Sequence, residues 1–219
     1  MDAALARALG FVRRFPFCLK TDISKFFPSV DHEVVRGLLR RVLKDRRLVA
    51  LLDRILAAHE PGLPIGSLTS QWLANFVLTP LDRFLRTVPE VRGQIRYMDD
   101  CLVFGESRAD LKPTLAVMRE FLEGELRLHL KEKVTATCAT RAGVPFLGFR
   151  VTPGGVEVRR EGFRRFGDGV RRAEWLYRTG RLDAEALAAS VTSRIAHLSR
   201  ARSLALRRAI FARAPPVEW

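Results

Sequence analysis

Two adjacent acids interrupt an apolar run that otherwise has the composition of a β-strand. The run is IRYMDDCLVF, residues 95–104, and the acids are Asp99 and Asp100. Acidic side chains are disfavoured in strands and are costly to bury without a partner. A hairpin resolves the conflict, because its turn places both carboxylates at a surface while the flanking residues pair as strands. The two carboxylates then repel each other unless a cation binds.

A third acid, Asp22, ends another strand-like run, FPFCLKTDI at residues 15–23. If this strand lies beside the hairpin in one sheet, its carboxylate comes next to the other two. Three carboxylates and a backbone carbonyl form a hard-oxygen site suited to Mg²⁺, which takes its other ligands from water and substrate phosphates. The three acids therefore predict a magnesium site.

The composition predicts a globular chain with a polyanionic partner. The 219 residues are 47% hydrophobic, which is enough for a core, and the formal net charge is +14. Residues 156–219 alone contain 14 Arg, no Lys and 7 acids. Charge of this kind favours nucleic acid as the partner, through neutralisation of phosphates and release of counterions.

Cysteines and apolar runs bear on the cellular setting. Cys18, Cys101 and Cys138 form no CxxC pair, so they predict neither a disulfide framework nor a zinc site and fit a reducing cytoplasm. The chain opens without the pattern of a signal peptide. Residues 62–81 carry no charge, but their prolines and polar side chains favour a loop and a buried helix over a membrane span.

Periodicity and turn signals predict helices and strands in the order β-α-α-loop-α-β-β-α-β-β, with an Arg-rich helical tail after Gly155. Ser29 or Asp31 is the expected N-cap of the first helix, and Asp183 that of a tail helix. The helix after the loop carries apolar residues at helical spacing, namely Leu68, Trp72 and Phe76 with Leu73 and Val77 beside them. We therefore expect an α+β fold with an antiparallel sheet.

Five motifs resemble those of reverse transcriptases, in the same order. They are KTDISKFFPSVDH, GLPIGSLTSQWLANFVL, YMDD, LHLKEKVT and FLGF, spread over residues 18–150. The resemblance implies a polymerase palm, an antiparallel sheet with packed helices, in residues 1–152, with a remnant of the fingers at 1–14. A small Arg-rich helical thumb would follow in residues 153–219.

The middle motif resembles that of one subgroup of reverse transcriptases more than that of the others. Most cellular reverse transcriptases carry Gln-Gly and Ser-Pro there, whereas this chain has Ile65-Gly66 and Ser70-Gln71. That variant resembles the reverse transcriptases of diversity-generating retroelements. The tail resembles their thumb segment, although Arg194 and Ala196 replace the usual Trp and Gly. A group II intron or retron type is the alternative.

By this resemblance, Asp22, Asp99 and Asp100, with the carbonyl of Ile23, would bind two Mg²⁺ ions, with Mn²⁺ as a substitute. Lys133 would donate a proton to the departing pyrophosphate or neutralise it. The alternative for Asp100 is a solvated turn acid, and Lys133, one of two lysines in KEK, is equally well explained as a solvated side chain.

Further residues would bind substrate. Phe27 matches the ring that excludes a ribose 2′-hydroxyl, whereas neighbouring Phe26 is expected in the core, as is Met98. The residues expected near the nucleotide and primer terminus are Gly66, Gln71 and Tyr97, and those expected at the primer backbone are Phe146, Leu147 and Gly148. The tail arginines expected to contact duplex phosphates are Arg159, Arg160, Arg164, Arg165, Arg171 and Arg172.

The function implied is RNA-directed DNA synthesis on a DNA primer, using deoxynucleoside triphosphates and error-prone in the way of the resembling group. The partners implied are the template RNA and, by the same resemblance, a small basic accessory protein; no membrane is implied. Only about 17 residues precede Cys18, so the basic finger residues that hold the triphosphate are expected to be absent. The rival interpretation is therefore an inactive nucleic-acid-binding remnant without fingers.

Overall fold

The computed structural model describes residues 2–59 and 61–213, which form two compact units. One unit comprises residues 14–140, and the other comprises residues 2–13 with 141–213. The predicted palm and thumb boundary between residues 152 and 153, and the fingers remnant at 1–14, stay predictions. Met1 and residues 214–219 of those predicted domains lie outside the described residues.

The chain contains α-helices and antiparallel strands, as the α+β prediction required. The helices are α1 (Asp2–Arg14), α2 (Phe26–Ser29), α3 (His32–Val42), α4 (Arg46–Ala57), α5 (Leu68–Val77), α6 (Thr79–Leu85), α7 (Arg108–Leu126), α8 (Arg160–Arg178), α9 (Ala184–Leu198) and α10 (Leu204–Arg213). The strands are β1 (Phe17–Thr21), β2 (Gly93–Tyr97), β3 (Asp100–Gly105), β4 (Ala136–Ala139), β5 (Val144–Phe146), β6 (Phe149–Thr152) and β7 (Gly155–Val158).

The strands divide between two antiparallel sheets. In the 14–140 unit the order is β2-β3-β1-β4, all antiparallel. This order places the strand that ends at Asp22 directly beside the hairpin, as predicted. The strands β5, β6 and β7 form a separate three-stranded sheet in the other unit.

One face of the four-stranded sheet carries the main core. Successive residues of a strand point to opposite faces, so Leu19 of β1 and Val103 of β3, which are paired, share a face. Both are buried in one cluster with Leu39 of α3, Leu73 of α5 and Met118 of α7. The helices of this unit therefore cover one side of the sheet, and the residues between, such as Lys20, lie on the opposite side.

Helix ends follow the predicted signals. Asp31 is the N-cap of α3, with its carboxylate accepting from the N–H of Glu33 at 2.7 Å and of Val34 at 3.2 Å. Ser29 instead ends α2. A hydrogen bond from Arg127 at 2.8 Å, supported by the two backbone N–H donors, lowers the pKa of Asp31 from its ordinary value. Pro80 lies in the first turn of α6, where backbone N–H groups have no partner within the helix, so proline costs no helical hydrogen bond there.

The uncharged stretch 62–81 is a loop followed by helices α5 and α6, as predicted, but only part of the apolar stripe is buried. Leu68 is 83% exposed and Trp72 is 52% exposed. The buried side of α5 consists of Ser70, Leu73, Ala74 and Val77. No helix among the described residues is long and apolar enough to cross a membrane.

In the second unit, α8 and α9 pack around a small cluster of Phe166, Val170 and Leu198. Asp183 caps α9 as predicted, accepting from the N–H of Ala186 at 2.7 Å. The helix α1 and the strand β7 were not predicted. The strand β7 has four residues and begins at the last glycine of PGG, so it is too short for a periodic pattern to predict it.

We predict that Leu39→Ala lowers the free energy of unfolding by about 2–5 kcal/mol, because it leaves a cavity in a close-packed core. Leu39 is fully buried on α3. The control is Leu51→Ala on α4, where the side chain is 52% exposed and the expected loss is about 0.5 kcal/mol or less. Denaturant titration of both variants measures the difference, and equal losses would contradict the core assignment.

Candidate active site

The acidic pair lies at a tight hairpin turn. Tyr97 and Asp100 are the last paired residues of β2 and β3, which leaves Met98 and Asp99 as the two-residue loop. Met98 has a φ of 56°, the positive value that two-residue hairpin turns require at their first central position. Its side chain is only partly buried, against the expectation of a core residue. The predicted acidic turn is confirmed.

Strand register brings Asp22 to the same place. Thr21 of β1 is paired with Cys101 of β3, so the next positions, Asp22 and Asp100, are neighbours at the strand ends. The pKa of Asp99 is raised, chiefly because burial penalises its charge. The nearby charges of Asp22 and Asp100 raise it further. The three acids therefore lie close enough for the charges of Asp22 and Asp100 to oppose the ionisation of Asp99.

Lys20 lies beside the acids, which sequence reasoning missed. Its Nζ lies 2.8 Å from Oδ1 of Asp100, and the two side chains are 17% and 19% exposed. Lys20 is paired with Leu102, two residues beyond Asp100, so the lysine and the acid are diagonal neighbours on one sheet face. The signal was the spacing: a lysine two residues before Asp22 in a strand must share its face.

The segment after α7 buttresses Asp22 from the other side. The N–H of Lys131 donates to the carbonyl of Asp22 at 2.8 Å, and the N–H of Ser24 donates to the carbonyl of His129 at 2.9 Å. These bonds flank the antiparallel bridge between Ile23 and Leu130. In such a pair the carbonyl of the central residue points away from its partner. The Ile23 carbonyl therefore faces away from Leu130, as a ligand for an ion near the hairpin requires.

A second lysine acts on the acids through its charge. The positive charge of Lys131 lowers the pKa of Asp99, against the larger effect of burial. Lys133, the residue that the motif comparison selected, is exposed, and so is Lys131. Sequence spacing does not separate the two lysines of KEK. The role of Lys133 stays a prediction.

Arg96 fixes the turn from the side of α5 and α6. Its guanidinium pairs with Asp82 at 2.8 Å and 2.6 Å. The same group donates to the carbonyl of Met98 at 3.0 Å and to Oδ1 of Asn75 at 3.1 Å. Arginine suits this role because its planar fork of donors holds several acceptors in fixed directions. None of these residues was predicted as part of the site.

The donor set fits a hard divalent cation. Three carboxylates and the Ile23 carbonyl are oxygen ligands of the type that Mg²⁺ takes. Burial and the charges of Asp22 and Asp100 raise the pKa of Asp99, and a bound cation would lower it. Across residues 2–59 and 61–213, no three acidic, His or Cys side chains are close enough to hold an ion together. Asp100 is paired with Lys20 in this arrangement. Metal binding therefore requires side-chain movement at the strand ends.

Comparison with known proteins identifies the family. The family model described as reverse transcriptase (RNA-dependent DNA polymerase) matches residues 14–151. This chain belongs to the reverse transcriptase family. The match covers the whole site described above.

Relatives of the reverse transcriptase fall in more than one group. The COX1/OXI3 intron 1 protein of Saccharomyces cerevisiae is 32% identical over 198 residues, covering 61% of this chain and 24% of that protein. The retron Ec86 reverse transcriptase of Escherichia coli is 25% identical, covering 68% and 46%. Telomerase from Candida albicans, solved with a fragment of telomeric RNA, shares the fold with a TM-score of 0.55 at 12% identity, covering 97% of this chain and 45% of that one.

The chain spans less than half the length of these curated relatives, at 24% and 46%. The family assignment therefore concerns the domain that the chain contains. The activity, substrates and partners of a whole reverse transcriptase remain matters for proposal.

Phe26 and Phe27 both contact the main core. Phe26 is 3% exposed and lies in it, as predicted. Phe27 is partly buried and packs against the same cluster, with its ring edge-on to that of Phe26 at 5.7 Å. Its carbonyl accepts from the N–H of Leu63 at 2.7 Å, which ties the loop before α5 to this segment. The substrate-facing role of Phe27 stays a prediction.

The remaining nucleotide-facing candidates are exposed. Tyr97 is 39% exposed beside the acidic turn, and Gln71 is exposed on α5. Gly66 has a φ of 98°, a backbone conformation that favours glycine over other residues. The space around it is open, because no heavy atom lies within 4 Å of where a Cβ would be. The close approach of a template or nucleotide to Gly66 stays a prediction.

The primer-backbone and arginine candidates lie in the second unit. Leu147 and Gly148 form the turn between β5 and β6, with φ values of 50° and 83°, and Phe146 is buried beneath them. The six tail arginines are all exposed. Two of them have partners within the helix, because Arg165 pairs with Glu161 and Arg171 with Asp168.

We predict that Lys20→Met lowers the free energy of unfolding by about 1–3 kcal/mol, because it leaves the partly buried carboxylate of Asp100 beside two other acids without its cation. The matched control is Arg119→Met, since the Arg119–Glu132 pair, at 2.8 Å, is 38% and 69% exposed. An exposed pair contributes about 0–1 kcal/mol. Denaturant titrations in the presence of a chelator compare the two, and a smaller loss for Lys20→Met than for the control would contradict this account.

Proposed function

We propose that this chain is the catalytic palm, with thumb-like helices, of an RNA-directed DNA polymerase that extends a DNA primer on an RNA template. The observation that carries the proposal is the convergence of Asp22, Asp99 and Asp100 at the ends of two paired strands, where burial and mutual repulsion raise the pKa of Asp99. Such a site is expected to bind cations together with a phosphate substrate. Family membership over residues 14–151 supports the same reaction.

In the proposed reaction, the primer 3′-hydroxyl attacks the α-phosphorus of a deoxynucleoside triphosphate in line, and pyrophosphate leaves. Two Mg²⁺ ions, with Mn²⁺ as a substitute, would supply charge neutralisation and activation of the hydroxyl. Asp22, Asp99, Asp100 and the carbonyl of Ile23 would hold them. Asp100 would exchange its pairing with Lys20 for this role.

Other side chains would select the sugar of the incoming nucleotide, hold the primer and assist the release of pyrophosphate. The half-buried ring of Phe27 would leave no room for a ribose 2′-hydroxyl, because a pocket that clashes rejects the wrong sugar more strongly than one that lacks a contact. Tyr97 would pack beside the primer terminus, and Lys133 would neutralise pyrophosphate or donate a proton to it. The exposed arginines of α8 would contact duplex phosphates, and a small basic accessory protein is a further proposed partner.

We predict that Asp99→Asn abolishes primer extension, because the amide removes the carboxylate charge on which cation binding depends. The control is Asp45→Asn, since Asp45 caps α4 and Asn caps equally well. The measurement is extension of a DNA primer on an RNA template with Mg²⁺ and deoxynucleotides, alongside duplex binding. Extension by Asp99→Asn at the unaltered rate would exclude the assignment, and duplex binding without extension by the unaltered chain would favour the inactive remnant.

Within the family, the Ile65 and Gln71 variant supports a retroelement enzyme of the diversity-generating type with error-prone synthesis. Both side chains are available to a template, because Ile65 is 83% exposed and Gln71 is exposed. The intron protein and the retron enzyme among its relatives support the group II intron or retron type as the runner-up.

We predict that errors by this chain concentrate opposite template adenine and that Ile65→Gln with Gln71→Pro reduces them. Discrimination between correct and mismatched pairs rests on a few kcal/mol at most, so a changed surface against the templating base alters it measurably. Sequencing of products copied from a mixed-base RNA measures the spectrum. Errors spread evenly over the four template bases would support the runner-up type.

A further inference from the structure

An apolar groove of about 490 Å³ lies among the helices that cover the main core of the 14–140 unit. Residues of α3, α5, α6 and α7 line it, and we call it the α5–α6 groove. Its apolar side chains are Leu38, Val42, Phe76, Pro80, Phe84 and Phe121. None of them has a role in the function proposed above.

The order of the helices leaves room for one more helix in the groove. The helix α3 packs against α5, and α7 packs against α6, so α3 and α7 flank the junction between α5 and α6. Packed helices lie about 8–10 Å apart, so two flanking helices are roughly 16–20 Å apart across a middle one. A helix with its side chains is about 10–12 Å across. An α-helix laid over the junction would therefore contact both flanking helices.

The floor of the groove is formed before any partner binds. Leu38, Phe76, Phe84 and Phe121 are partly buried and pack against the main core. The rings of Phe84 and Phe121 are also stacked, with their centroids 4.5 Å apart. A surface that the core holds in its binding shape loses little conformational freedom when a partner binds, and this favours affinity.

The charged side chains at the groove favour an acidic partner. Arg41 of α3 and Arg83 of α6 line it and are exposed, and neither guanidinium forms an ion pair with any residue that the structure describes. One acid, Glu125 of α7, also lines the groove. Carboxylates of a partner would pair with the two arginines and would meet like charge only at Glu125.

We propose that the α5–α6 groove docks an amphipathic helix of an acidic partner protein. Apolar side chains at positions i, i+3, i+4 and i+7 of that helix would fill the groove, and acids beside them would pair with Arg41 and Arg83. A second copy of this chain is a poorer occupant, because a net charge of +14 on each copy opposes association. The small basic accessory protein proposed above is a poorer occupant for the same reason. The inference does not depend on the proposed function.

The probe is a pair of labelled synthetic helical peptides with the same leucines at positions i, i+3, i+4 and i+7. One carries Glu at the flanking positions, and the other carries Lys there. Binding to the full chain is measured by fluorescence anisotropy at physiological salt. The Glu peptide should bind about tenfold more tightly, because the Lys peptide places like charges against Arg41 and Arg83. No binding of the Glu peptide would overturn the proposal, and tighter binding of the Lys peptide would overturn it in favour of a basic partner.

A pair of apolar variants locates the bound peptide. Val42 is 60% exposed on the wall that α3 forms, so Val42→Gln removes an apolar contact and should weaken binding of the Glu peptide about fivefold. The matched control is Leu51→Gln, because Leu51 is 52% exposed on α4 and lies outside the groove. This control should not change binding. Equal effects of the two variants would overturn the groove as the docking site.

A pair of charge variants separates pairing in the groove from general attraction to a basic chain. Arg41→Gln together with Arg83→Gln should abolish the preference for the Glu peptide over the Lys peptide. The control is Arg47→Gln together with Arg54→Gln, which removes the same charge from exposed positions of α4 outside the groove. The preference should persist in this control. Its persistence in the Arg41 and Arg83 variant would overturn the acidic partner.

Single-stranded DNA tests the other class of ligand that aromatic and arginine side chains bind. Val42→Gln should leave the binding of a labelled oligonucleotide unchanged, and a loss equal to that for the Glu peptide would reassign the groove to nucleic acid. Primer extension by the same variant should also be unaltered, since Val42 lies outside the candidate active site. An unaltered chain that binds the Glu peptide through the groove but extends no primer would refute the proposed function and leave this inference standing.

Discussion

Repulsion among three carboxylates is the constraint around which the first unit is organised. Asp22, Asp99 and Asp100 lie together because strand register leaves them no alternative, and burial makes the charge of Asp99 more costly. The protein offsets part of that cost with Lys20, which pairs with Asp100, and with the charge of Lys131. The offset is incomplete, because the pKa of Asp99 stays raised. Under the proposed function, a bound cation would supply the remaining positive charge.

The two faces of the four-stranded sheet carry different side chains near the acids. Alternation along β1 places Leu19 and Thr21 on the side of the helices, and Lys20 and Asp22 on the other, which also carries the buried side chains of Cys18, Leu102 and Phe104. A slip of one residue in the pairing of β1 with β3 would move Lys20 and Asp22 to the face of the main core. The packing of Leu19 and Val103 thus fixes the position of the acids, so the core determines the geometry of the site.

Local patterns predicted the elements of this site, and tertiary packing decided the rest. The acidic hairpin, the strand before Asp22 and the Asp31 cap follow from spacing and turn chemistry, which act within a few residues. Of the apolar residues on α5, Leu73 and Val77 are buried whereas Leu68 and Trp72 are exposed, because the residues that α5 buries depend on which helices it meets. The Arg96 network and the effect of Lys131 on Asp99 likewise join segments distant in sequence, which no local pattern encodes.

A net charge of +14 and a cluster of acids at the hairpin are compatible because screening makes electrostatics local. At physiological salt, charges separated by more than about 8 Å in solvent are largely screened from each other. Distant arginines would therefore do little to offset the repulsion between a substrate phosphate and Asp99, and the proposed function assigns that role to cations bound beside the acids. In the same proposal the arginines of α8 would bind a duplex where they contact it, so their exact contacts would matter more than the total charge.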